Sequence, residues 1–212
     1  KDLETTLHSH WVRVDEKYDW TPIEMMWKQK IMKYWETFEY KLKFPDEWIY
    51  WYHPHVKEEL QQELWLYGNY LVEPTNSNYW SKVNREETLI LDDILLDNDK
   101  IEAFSDSFTN YTLMWRFWNT IMINGETNYQ LEAKKWEVIR IYFTNASNTR
   151  PYNITIPGAK IKLVWWDNGK YEKEEFIDSF VISTWERYVV EAYFENGWEY
   201  KIQNKTPNKT YD

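Results

Sequence analysis

The 212-residue chain has no cysteine, only 5 glycines and only 4 histidines, and its 25 Lys and Arg are outnumbered by 35 Asp and Glu. Without cysteine there can be no disulfide, thiolate metal site or cysteine nucleophile within these residues. A net charge of -10 repels nucleic acid and anionic membrane surfaces, and no basic patch in the sequence offsets it. No nucleic acid or membrane partner is expected. No apolar run approaches the roughly 18 residues of a membrane span, and Lys1-Asp2-Leu3 does not open a secretory signal. The glycine shortage is the oddest of these features. Average usage would place about 15 glycines in this length, yet there are 5, while tryptophan reaches 15.

What is present describes a folded protein. Aromatic residues make up 19% of the chain, and the length can bury the core of one large or two ordinary domains. Segments of period 2 dominate. In "ETFEYKLKF" Phe38, Tyr40, Leu42 and Phe44 share one face, as do Ile139, Ile141 and Phe143 in "EVIRIYFTN", which is the pattern of half-buried strands. "TLILDDILL", "NTIMI", "YNITI", "AKIKLV" and "ERYVVEAYF" read likewise, spaced by turn-forming "NG", "PG" and "DNG". Such spacing predicts an all-β sandwich or barrel. In "VKEELQQEL", Val56, Leu60 and Leu64 recur every four residues and predict one short helix. The polar stretch 73–84 divides the strand-rich blocks into a first domain, 1–84, and a second, 85–212.

All four histidines fall into two His-x-His pairs: His8 and His10 in "TTLHSHWVRV", His53 and His55 in "WYHPHV". On a strand, residues i and i+2 point to the same face, so each pair presents two imidazoles side by side. Four imidazoles converge if the two strands are neighbours. Neutral imidazole suits copper, zinc and iron rather than magnesium or calcium. Weaker candidates are Asp92, Asp93 and Asp97 in "LDDILLD", which read as a solvated strand end. The aromatic clusters "WIYWY" and "TLMWRFW" read as core.

Beyond single residues, "TTLHSHWVRV" resembles the first copper motif of three-domain multicopper oxidases, His-x-His-Gly on a strand. "FPDEWIYWYHPHVKEELQQELWLYGNYLVEP" resembles their second, and the block from "REETLILDDILLD" to "ERYVVEAYFENG" resembles their middle domain. The resemblance implies two cupredoxin-like Greek-key β-sandwich domains, the first incomplete at its N-terminus, in a fragment of a laccase-like or metallo-oxidase enzyme. It implies copper as cofactor: His8 for a type 2 copper, and His10, His53 and His55 for a type 3 pair. The resulting trinuclear centre would be shared with a third domain that is not in this chain. The type 1 copper would also lie outside it, since that site needs a cysteine. No catalytic residue beyond the metal ligands is implied. The intact enzyme would couple oxidation of a phenolic or metal-ion substrate to reduction of dioxygen to water, in a bacterial periplasm or outside the cell. The chain alone is expected to be inactive. Two other readings stand beside this one: a non-catalytic cupredoxin-like metal-binding module, and a four-imidazole zinc site, since zinc accepts four nitrogens tetrahedrally.

The resemblance also bears on the odd composition. Trp11 stands where the motif has glycine. Trp20, Trp35, Trp48, Trp65, Trp115, Trp118, Trp136, Trp165, Trp166, Trp185 and Trp198 likewise fall at family glycine positions or in glycine-rich turns, whereas Trp51 stands where the family has tryptophan. Returning those twelve to glycine would leave 3 tryptophans and raise glycine from 5 to 17. A UGA codon read as glycine by the source organism would account for the exchange.

Overall fold

The computed structural model describes residues 3–19, 31–102, 119–167 and 169–205. The chain divides into two compact units, Lys1–Trp80 and Ser81–Asp212. The first holds β1 (His8–His10), β2 (Ile49–His53), β3 (Gly68–Leu71) and a short helix, α1 (Glu58–Glu63). The second runs through β4 (Arg85–Ile94), β5 (Leu96–Asp97), β6 (Lys100–Ile101), β7 (Thr120–Ile123), β8 (Leu131–Ala133) and β9 (Glu137–Asn145). It continues with β10 (Tyr152–Thr155), β11 (Ala159–Trp166), β12 (Gly169–Ile177), β13 (Phe180–Ile182), β14 (Arg187–Phe194), β15 (Trp198–Tyr200) and β16 (Gln203–Asn204). Among the described residues the protein is all-β apart from α1 and one single-turn helical piece, Glu16–Tyr18, and no helix there is long and apolar enough to cross a membrane.

In the second unit a six-stranded sheet, ordered β12-β11-β14-β9-β4-β7, accompanies a three-stranded sheet, β13-β10-β16. All neighbours are antiparallel except β4 and β9. One core draws on both sheets: Leu89, Ile139, Ile141, Phe143, Val190 and Phe194 from the larger, Ile154, Phe180 and Ile182 from the smaller. Each of these side chains contributes about 2 kcal/mol by leaving water, and the period-2 spacing of the apolar residues fixes which face they occupy.

Charged groups are buried in this unit as well. Arg140 on β9, 3% exposed, pairs with Glu191 on β14 and Glu86 on β4. Asp92 and Asp93 are 5% and 0% exposed, so they are not the solvated strand end the sequence suggested; only Asp97 is exposed. The reason is a partner far along the chain: the Arg150 Nε donates to Asp93 Oδ2 at 2.7 Å. Removing one member of a buried pair strands the other charge, which costs about 3–5 kcal/mol. Asp93→Ala should lower stability by that amount in urea unfolding. A loss under about 1 kcal/mol would mean that Arg150 escapes to water.

The first unit is built around the three-stranded sheet β1-β2-β3. Glycine is needed where β3 begins, because a Cβ on Gly68 would sit 2.5 Å from the Tyr52 hydroxyl. Two expectations need correction here. Phe38, Tyr40, Leu42 and Phe44 are half-buried and alternate with exposed neighbours, as period 2 requires, yet residues 36–44 form no ladder. Alternation describes an extended chain with one covered face; a strand also needs a hydrogen-bonding neighbour. Helix α1 forms where expected but turns a different face inward: Leu64 is 44% exposed, whereas Gln61, Gln62 and Glu63 are buried. Gln61 explains the reversal, since its amide accepts from the Thr5 hydroxyl at 2.6 Å and donates to the Glu4 carbonyl at 2.9 Å. The cluster "TLMWRFW" lies outside the described residues.

Candidate metal centre

The antiparallel register of β1 and β2 sets His8 opposite His53, Ser9 opposite Tyr52 and His10 opposite Trp51. Alternation sends Ser9 into the interior, 1% exposed, and leaves His8 and His10 together on the opposite face. His53 arrives on that face from β2, and His55 follows two residues later. All four imidazoles therefore meet. Ring centroids are 4.6 Å apart for His8 and His10, 4.9 Å for His10 and His53, 5.3 Å for His8 and His55, and 5.4 Å for His53 and His55. Metal-binding atoms of His8, His10 and His53 lie within 4.8 Å of one another. His55 borders this trio.

Hydrogen bonds orient three of the rings. His8 Nδ1 lies 2.5 Å from Asp19 Oδ1, His55 Nδ1 lies 2.9 Å from Glu58 Oε2, and His53 Nδ1 lies 2.7 Å from the Pro54 carbonyl oxygen. A carbonyl or carboxylate oxygen accepts, so each Nδ1 carries the hydrogen and each Nε2 the lone pair that a metal would take. His10 Nε2 and His53 Nε2 are 2.9 Å apart, close enough to share a proton. Trp51, 1% exposed, forms a wall: its indole stacks on His53 at 4.5 Å and lies 4.6 Å from His10.

Burial favours the neutral form of His53. Burial, together with the neighbouring imidazole of His8, lowers His53 from the ordinary histidine value to about 4. It is uncharged near neutral pH, so its lone pair is available. Glu58 is lowered below the usual carboxylate range, first by the hydrogen bond from His55. Among the described residues, this donor set fits copper or zinc: nitrogen-rich, partly enclosed and backed by carboxylates.

No sequence motif signalled Asp19 or Glu58. Asp19 is eleven residues from His8, but Glu58, the first residue of α1, stands only three residues after His55, across the bend that leads into the helix.

The two-sheet β core of the second unit is a cupredoxin-like arrangement, and the comparisons with known proteins agree on the fold. No protein-family model and no curated protein matches the chain. Among solved structures, a multicopper oxidase from Pseudomonas thermotolerans superposes with a TM-score of 0.83 at 23% identity, covering 96% of this chain and 49% of its own. The laccase-like multicopper oxidase CueO from Ochrobactrum sp. gives 0.78 at 22% identity, with 100% and 48% covered. A copper nitrite reductase from Nitrosomonas europaea gives 0.77 at 20%, with 97% and 70% covered. The fold is that of multicopper oxidase domains, and the chain spans about half the length of the Pseudomonas thermotolerans structure.

Proposed function

We propose that this chain is the copper-holding part of a multicopper oxidase, which couples one-electron oxidation of a phenolic or metal-ion substrate to four-electron reduction of dioxygen to water. The observation that carries the reading is that every histidine of the chain enters one cluster at the β1–β2 edge. In this reading His8 holds a type 2 copper and His10, His53 and His55 hold type 3 coppers, with the remaining ligands and the type 1 site on a third cupredoxin domain. Copper, when bound, supplies one-electron redox chemistry. The chain's own residues keep His53 neutral by burial, hold the hydrogen on Nδ1 through Asp19, Glu58 and Pro54, and wall the cluster with Trp51. A bacterial periplasmic or extracellular setting goes with the proposal.

Copper titration of metal-free protein, followed by electron paramagnetic resonance, tests the reading: nitrogen hyperfine structure from imidazoles is expected. Preferential retention of zinc over copper would favour a four-imidazole zinc site instead. The absence of cysteine equally suits a non-catalytic metal-binding module. Reading the gene beyond residue 212 separates these, a His-Cys-His motif supporting the oxidase and a stop codon the module.

Glu58 offers a finer check. An outer partner of a metal-bound histidine is worth roughly 10–100-fold in affinity. Glu58→Ala should weaken copper binding about tenfold at the low end of that range, and Glu58→Gln, whose amide oxygen still accepts from Nδ1, should restore most of it. Equal losses from both substitutions would show that charge, rather than ring orientation, is what Glu58 provides.

A further inference from the structure

Among the described residues, eight that are not glycine have φ in the left-handed region. Three are Asn98, Asp99 and Asn124, types whose short polar side chains tolerate that conformation, and one is Lys57. The other four are tryptophans: Trp11 at φ 64°, Trp65 at 56°, Trp136 at 64° and Trp185 at 67°. Eleven tryptophans lie among the described residues, so more than a third of them adopt a conformation that only a few per cent of non-glycine residues adopt.

Their surroundings are those of glycine. Three sit third in a four-residue turn closed by a backbone hydrogen bond: Val12 N–H to Ser9 at 3.4 Å around Trp11, Glu137 N–H to Lys134 at 3.1 Å around Trp136, and Glu186 N–H to Ser183 at 3.2 Å around Trp185. The chain contains the same turn with glycine in it. In Ile156–Ala159 the Ala159 N–H donates to Ile156 at 3.0 Å, and the third residue is Gly158 at φ 89°. A positive φ at this position is what makes glycine its usual occupant. Trp65 ends helix α1: its N–H donates to the Gln62 carbonyl at 2.7 Å, and the Leu66 N–H reaches back to the Gln61 carbonyl at 3.2 Å. That paired closure is the Schellman motif, whose left-handed residue is most often glycine.

Nor do the side chains earn their place by burial. Trp11, Trp65, Trp136 and Trp185 are 60%, 49%, 65% and 37% exposed. Trp51, by contrast, is 1% exposed, lies in β2 and stacks on His53. The two groups differ in both backbone and burial.

We infer that residues 11, 65, 136 and 185 are glycines in the protein as its source makes it, and that the codon written as tryptophan there is UGA, read in that source as glycine. Trp51 is a true tryptophan encoded by UGG. The inference rests on backbone geometry and stands whether or not the histidine cluster holds copper. It extends the shortage of glycine from a compositional oddity to named turns. Trp35, Trp48, Trp165, Trp166 and Trp198 have no positive φ to bring them into it, and Trp20, Trp115 and Trp118 lie outside the described residues.

Peptide masses of the protein isolated from its source, read beside the gene, test the inference. The peptides spanning residues 11, 65, 136 and 185 are expected to be lighter by one indolylmethyl group at each position, with TGA in the gene, while the peptide spanning residue 51 keeps its indole and reads TGG. Tryptophan by mass at any of the four, or TGG in the gene at any of them, would overturn it.

Discussion

The folded chain, loaded with copper and supplied with dioxygen and a phenolic or ferrous reductant, is expected to consume oxygen no faster than free cupric ion. Reducing dioxygen to water takes four electrons. A single cluster with four imidazoles and no thiolate offers only part of the trinuclear ligand set that the multicopper oxidase resemblance implies and no type 1 site through which electrons could enter. Rates of oxidases lie many orders of magnitude above background, so the contrast with an intact enzyme would be large. An oxygen electrode decides the matter. Turnover above the free-copper control that survives dialysis and disappears on chelation would show that four imidazoles suffice, and the fragment reading would fail.

Much of this architecture could be read from the sequence, for an identifiable reason. Side-chain period on a strand is strictly 2, so His8 and His10 had to share a face, whereas His55 lies past the end of β2 and reaches the cluster from the turn that follows. Likewise Ile139, Ile141 and Phe143 had to point together, as they do in the core. What local pattern could not supply was the identity of neighbours. The stretch 36–44 alternates correctly yet forms no ladder, because pairing depends on another segment being in reach. Asp93 looked like a solvated carboxylate because its partner, Arg150, is 57 residues away. In α1 the apolar period pointed to Leu60 and Leu64, whereas the surface beneath offers the Glu4 carbonyl and the Thr5 hydroxyl, which only Gln61 can satisfy. The same limit hid Asp19, whose carboxylate reaches His8 across a segment with no metal-binding motif of its own.

His53→Ala is expected to weaken copper binding more than any other single histidine substitution. Like His8, its ring neighbours all three others, with His10 at 4.9 Å, His8 at 5.5 Å and His55 at 5.4 Å, but it is the more deeply buried of the two. It is also the ring held neutral by burial, with its value lowered to about 4. Loss of an outer partner already costs roughly 10–100-fold, so loss of this buried donor should cost about 100-fold or more. His55→Ala should cost less for a single ion, because the close trio of donor atoms is His8, His10 and His53. His53 is 2% exposed, and truncating it beside Trp51 opens a cavity. His53→Gln therefore serves as the companion variant, filling most of the volume without the imidazole lone pair, and a thermal melt reports whether each variant is folded. Calorimetric titration with cupric ion then ranks the affinities. A folded His53→Gln protein that binds copper as tightly as the parent would remove His53 from the ligand set, and with it the metal centre proposed at the β1–β2 edge.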